Sequence, residues 1–220
     1  MIDPDTLYFS SEKYRNLLDV IGDEITDEGL AQRKGSPIEA CRHGFKVWEH
    51  IQELMKMLRA KSVFELDQSQ ATIYDLLYWA SAFADELHNV SLKDKSFVPK
   101  QLEFCEHYVE MHSDMLNKDV RNLGNIRISL AESYYRRGKA KEADAFFHKW
   151  LSVEPDWGWG WIGWSDFYWL WEIPELEKDF NKAERILKEG LSAPNVTDMN
   201  HLKGRFSDFL KKKRTQNQPI

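Results

Sequence analysis

Pro155-Asp156-Trp157-Gly158-Trp159-Gly160-Trp161-Ile162-Gly163-Trp164-Ser165-Asp166-Phe167-Tyr168-Trp169-Leu170-Trp171 holds six of the chain's nine tryptophans. Trp157, Trp161, Trp164, Tyr168 and Trp171 follow one another at steps of four and three, which is one stripe of a helix. Trp159, Ile162, Asp166 and Trp169 form a neighbouring stripe, and Gly160, Gly163 and Phe167 a third. A helix apolar on this many sides must be gripped by several neighbours, so the stretch belongs inside an array of helices. Most of its tryptophans are then core residues.

The flanking sequence continues the pattern. After a turn through Glu172-Ile173-Pro174, a second helix is expected to run to about Leu191. A closing helix over 197–213 carries Leu202, Phe206, Phe209 and Leu210 on one face, with lysines around the rest, as suits a terminal cap. Upstream, 120–137 and 139–153 form a helical hairpin turning at Gly138. The first 120 residues read as two less regular hairpins. One pairs 11–33 with a helix that begins at Ser36-Pro37-Ile38-Glu39, a capping-box start; the other pairs 71–89 with 100–117 across a polar break at 65–70 and a turn-rich connector at 91–99. No segment alternates like a strand, so the fold class is all-α, with about four hairpins and a cap. The array is expected to be one domain over 1–214, its clearest repeats at 121–196, followed by a flexible tail at 215–220.

Composition agrees with a folded globular chain. Apolar residues make up 42% and aromatic residues 13% of 220 residues, which excludes disorder as the main state. A net charge of -6 and a pI near 5.7 remove any general attraction to nucleic acid or to anionic membranes. The basic run Lys211-Lys212-Lys213-Arg214 complements a helix C-terminus. With no apolar run of spanning length and no basic, apolar start, the chain reads as cytoplasmic. Cys41 and Cys105 are far apart and read as free thiols.

An internal echo gives the array its period. Arg33-Lys34-Gly35-Ser36-Pro37-Ile38-Glu39-Ala40 parallels Arg136-Arg137-Gly138-Lys139-Ala140-Lys141-Glu142-Ala143. Each places glycine after a basic helix end and alanine five residues on. Leu130-Ala131, Tyr134, Ala143, Phe147 and Pro155, then Trp161, Ser165 and Tyr168, resemble the 34-residue pattern of the tetratricopeptide repeat family over about 123–192. Arg127 stands where that pattern has tryptophan, and Trp164 where it has leucine. Ala183 comes about six residues late, after an insertion near Pro174-Glu175. The chain also resembles, more loosely, bacterial helical proteins of unknown function that sometimes carry a C-terminal zinc motif called SEC-C. The cysteine cluster of that motif is absent, so no zinc role carries over.

The tetratricopeptide resemblance implies a right-handed superhelix whose concave groove binds a segment of another protein. The groove face is expected to present Asn125, Ile128, Glu132 and Tyr135 beside Trp159, Ile162, Asp166 and Trp169. The lysine and asparagine clamp of chaperone-binding members is not matched, because Glu132 and Asp166 put negative charge there. Basic or apolar segments suit such a groove better.

Chemistry is sparsely represented. Glu103, Cys105, Glu106, His107, Glu110 and His112 cluster on one helix, but no matched pair of Glu-x-x-His motifs builds a di-metal bundle. No nucleophile elbow or phosphate loop occurs. The expected function is a non-enzymatic protein-interaction module with no catalytic residues, metal or cofactor, whose partner is a protein or peptide and not nucleic acid or membrane. A metal-dependent helical enzyme using His43, His50, His107 and nearby carboxylates is the first alternative; a structural homo-oligomer whose groove holds its own tail is the second.

Overall fold

The computed structural model describes residues 11–120 and 122–216, and these are helix and connecting loop with no strand. The signal-peptide reading of Met1–Asp5 and the end of the expected tail, 217–220, lie outside the described residues. Among those described, no helix is long and apolar enough to cross a membrane. The chain divides into two compact units, Met1–Leu123 and Gly124–Ile220.

In the first unit, α1 (Glu12–Arg33) packs on α2 (Pro37–Leu58) as a hairpin. The short α3 (Val63–Gln68) leads to α4 (Leu76–Lys93), and a 3₁₀ turn at Lys95–Phe97 joins it to α5 (Val98–Met111). Three expectations change here. The polar break at 65–70 is itself mostly helix, because Val63 and Leu66 are buried and Ser62 caps it by accepting from the Glu65 amide at 3.2 Å. The next helix starts at Leu76 and not at 71, since the Asp67 carboxylate accepts from the amides of Leu76 and Leu77 while Asp75 accepts from Tyr78. Two carboxylates at one N-terminus fix the boundary, and Ile73, inside the expected span, is 93% exposed. The third change is at Ser36, whose side chain makes no capping bond; Glu39 pairs with Arg42 at 2.7 Å instead.

The second unit contains α6 (Leu123–Arg136), α7 (Ala140–Val153), α8 (Gly158–Trp169), α9 (Phe180–Ser192) and α10 (Met199–Gln216), the last running past Lys213. The echo read from sequence has a backbone basis. Gly35 and Gly138 adopt φ of 70° and 71°. In each turn the following amide reaches back five residues, Ser36 to the Ala31 carbonyl and Lys139 to the Tyr134 carbonyl, both at 2.9 Å. This is a glycine-dependent helix stop used twice. Ala143 and Ala183 are both fully buried, as expected of the small residue that lets the second helix of a hairpin approach the first.

Close approach also defines the α8–α9 hairpin. A Cβ added at Gly190 would lie 2.7 Å from Cγ of Trp161, whose indole N–H donates to the Pro155 carbonyl at 2.9 Å and so cannot swing away freely. Replacing a mid-helix glycine by alanine ordinarily stabilises. Here Gly190→Ala is expected to destabilise the fold by about 1–3 kcal/mol through overpacking, read as a lower urea midpoint in tryptophan fluorescence; a midpoint at or above that of the parent protein contradicts the contact.

Candidate functional site

The stripe singled out in sequence lies on α6 and α8. Asn125 and Trp159, Ile128 and Ile162, Glu132 and Asp166, Tyr135 and Trp169 lie 34 residues apart, each pair on α6 and α8 or at their starts. Asn125 is exposed, Ile128 half-buried and Trp159 41% exposed. Glu132, Tyr135, Ile162, Asp166 and Trp169 are buried. What buries them follows a rule: the stripe of each helix faces a later helix of the unit. Ile128 lies against Gly163, where an added Cβ would meet its Cδ1 at 3.1 Å, and the Tyr135 ring sits 4.5 Å from Phe167. Trp169 meets Phe209 of α10 edge-on at 5.5 Å, and Trp159 meets His201 at 5.2 Å. The stripe is therefore a seat for a helix more than an open groove, and only its start, at Asn125 and Trp159, is exposed.

The two seats are finished differently. Between α6 and α8, Asp144 of α7 gathers donors from its neighbours. Its Oδ1 accepts from the hydroxyls of Tyr135 and Tyr168 and from the Trp164 indole, at 2.9, 2.7 and 2.7 Å, and its Oδ2 from Lys182 of α9. Burial alone would raise the Asp144 carboxyl, but the bonds from Lys182, Trp164 and Tyr168 hold it below the usual carboxylate range. Burial and the neighbouring Asp144 raise both tyrosines, which stay neutral donors.

Between α8 and α10 the matching carboxylate is Asp166, 2% exposed. Its Oδ2 lies 3.4 Å from Nη1 of Arg205, while its Oδ1 and the indole N–H of Trp169 have no hydrogen-bond partner. Burial pushes the Asp166 carboxyl up to about 7, against the pull of Arg205 and of the nearby Trp169 and Ser165 side chains. The row His201, Arg205, Phe209, four residues apart on α10, was legible as a helical face. The sequence reading drew that face through Leu202, Phe206, Phe209 and Leu210, and so passed over the arginine.

The residues weighed for metal or acid–base chemistry do not converge. Cys105 is buried, whereas Glu103, Glu106, His107 and Glu110 are exposed along α5. His112 is buried with Nδ1 at 2.7 Å from the Tyr108 carbonyl of α5 and Nε2 accepting from the Phe64 amide at the start of α3, so both ring nitrogens are engaged in tying two helix ends together. His50 is half-buried. Among the described residues, three ligand-type atoms gather only at Glu24, Asp27 and His43, within 4.8 Å. That cluster already holds a cation, since Lys46 Nζ lies 2.9 Å from Glu24 Oε1. Burial, together with the nearby carboxylates of Glu86 and Glu28, pushes the Cys41 thiol up to about 12, which removes it as a nucleophile. The first unit also has an open groove of about 500 Å³ between α2 and α5, walled by Trp48 and Phe104 and rimmed by Arg42, Lys46, Lys100 and Glu103.

No family model, curated protein or solved structure matches this chain.

Asp166 gives the seat a measurable pH signature. An unfolded aspartate titrates near 3.9, so the folded chain holds an extra proton between about 4 and about 7. The stability tied to that proton is complete below about 4 and lost as the pH rises through about 7. Asp166→Asn keeps the neutral form at every pH. Thermal melts at pH 5 and pH 8 are expected to show the parent protein losing stability relative to Asp166→Asn at the higher pH; parallel losses in both proteins contradict the assignment.

Proposed function

We propose that the chain is a non-enzymatic docking module of helical-repeat type, whose second unit binds a helical segment of a partner protein along the stripe of α6 and α8. The observation that supports this reading is the way α10 sits on α8: an amphipathic, lysine-rich helix held by an aromatic contact at each end, Trp159 with His201 and Trp169 with Phe209, and by an arginine on the buried Asp166 between them. A face that accepts such a helix from its own chain has the chemistry to accept one from another. Trp159 and Asn125, exposed at the start of the stripe, are where a partner makes its first contact.

The residue to change is Trp159, because its exposure lets the ring be removed without opening the core. Trp159→Ala is expected to melt within a few degrees of the parent protein and to recover partner proteins from the native host at least about tenfold less efficiently, as loss of an aromatic interface anchor predicts. Undiminished recovery of every partner by the folded variant contradicts the proposal.

A further inference from the structure

The α8 seat differs from the α6 seat in what it leaves unsatisfied. The α6–α8 contact closes on Asp144, where both carboxylate oxygens have donors. The α8–α10 contact closes on Asp166, where one oxygen has a guanidinium at 3.4 Å and the other has no donor although the side chain is almost wholly buried. The Trp169 indole N–H beside it is also without an acceptor. A buried polar atom left unpaired weakens whatever holds it buried. Arg205 itself remains 30% exposed, so its guanidinium covers the carboxylate from one side only.

The occupant is also weaker than it has to be. Gly204 sits in the middle of α10 with nothing within 4 Å of where a Cβ would be, so no close packing demands glycine there, and glycine in a helix interior disfavours the helix. Beyond the stripe, α10 is attached to α9 by Lys213 on Glu184 and by Phe209 near Phe180. Lys203, Lys211, Lys212 and Arg214 point to solvent. The connection from α9 is short: it runs over 193–198 through Pro194 and Asn195, the latter at φ 55°, and is tied down where the Thr197 amide and hydroxyl donate to the Asp156 carbonyl. Release of α10 from α8 leaves that tether intact.

From these observations, and resting on the docking reading above, we infer that α10 is a resident competitor for its own seat: it occupies the Trp159–Asp166–Trp169 face of α8 until displaced by a partner's cationic amphipathic helix that carries an arginine four residues before an aromatic side chain. The partner pattern is the row His201, Arg205, Phe209 with one addition, a further donor next to the arginine to satisfy the second oxygen of Asp166. Because α10 is tethered, it competes at high effective concentration, so a free helix of equal quality binds only weakly and a better-paired one binds tightly.

The test uses the full chain and a fluorescein-labelled peptide copying residues 197–216, with binding read by anisotropy. Two substitutions in the resident helix move it in opposite directions without touching the seat. Gly204→Ala strengthens α10, and the peptide should bind about fivefold more weakly than to the parent protein. Arg205→Glu places a carboxylate over Asp166 and loosens α10, and the peptide should bind about tenfold more tightly. Asp166→Asn, which removes the charge that the peptide arginine needs, should abolish the gain when combined with Arg205→Glu. The ordered series supports the inference; equal affinities for the parent protein and the two single variants, or no binding to any, overturn it. If Arg205→Glu fails to fold, the loss of affinity in Gly204→Ala still decides the matter. Equal peptide affinities together with a Trp159-dependent partner defeat only the competitor role. An ordered series with partner recovery unchanged by Trp159→Ala defeats only the docking site at Trp159.

Discussion

The second unit depends on one carboxylate. Asp144, on α7, accepts from three other helices at once: from Tyr135 of α6, from Trp164 and Tyr168 of α8, and from Lys182 of α9. Burying a carboxylate is costly unless donors replace water. Here four do, and Lys182 adds a bond to the Tyr168 hydroxyl at 2.7 Å while lying over its ring. The arrangement fixes the rotation of α8 about its axis. With Trp164 and Tyr168 turned towards Asp144, the helix must turn Trp159, Asp166 and Trp169 elsewhere, and they become the surface that α10 covers. A rotation of one residue would break the network and bury a different stripe.

The same geometry sets two carboxylates against each other in their response to pH. Asp144 is held below its usual range, so its contribution is present above the unfolded value and lost as the pH falls through the folded one. Asp166 is raised, and its contribution runs the other way. Both are buried aspartates at helix–helix contacts in one unit, and the difference between them is the number of donors. Four well-placed donors outweigh desolvation; a guanidinium at 3.4 Å with weak help from Trp169 and Ser165 does not. The under-satisfied carboxylate thus lies at the terminal seat, whose occupant is joined to α9 by a short loop.

Much of this architecture was legible in the sequence because it is written in helical periodicity and turn chemistry. The glycine turns at Gly35 and Gly138, the three-sided apolarity of α8 and the closing helix all follow from spacing alone. Boundaries set by long-range capping were not: the start of α4 is determined by Asp67, nine residues upstream of Leu76, and no local pattern announces that. The candidate site was half legible. Its eight residues do form equivalent stripes, but sequence periodicity gives the rows of a helix without saying which row meets the next helix and which meets water. Only Asn125, Ile128 and Trp159 kept enough exposure to be read as surface. Asp144 escaped notice because, in sequence, it is one acidic residue among many.

The departures from the repeat pattern also turn out to be paired. Arg127 stands at the tryptophan position and is fully buried; its guanidinium lies flat on the Trp150 ring at 3.3 Å and forms an ion pair with Glu154. In the following hairpin the equivalent of Arg127 is Trp161, and the residue facing it is Gly190. One hairpin thus places a planar cation on its first helix and an indole on its second; the other places the indole on the first helix and no side chain on the second. In both, a single flat aromatic ring fills the space between the two helices, supplied from opposite sides. Read one residue at a time, Arg127 looks like the loss of a packing tryptophan. Read as pairs, the two hairpins conserve the layer thickness that lets α8 stack on α6, and the charge brought in by Arg127 is answered by Glu154 at the end of the same hairpin. Helix spacing, and not any one residue, is what the two hairpins have in common.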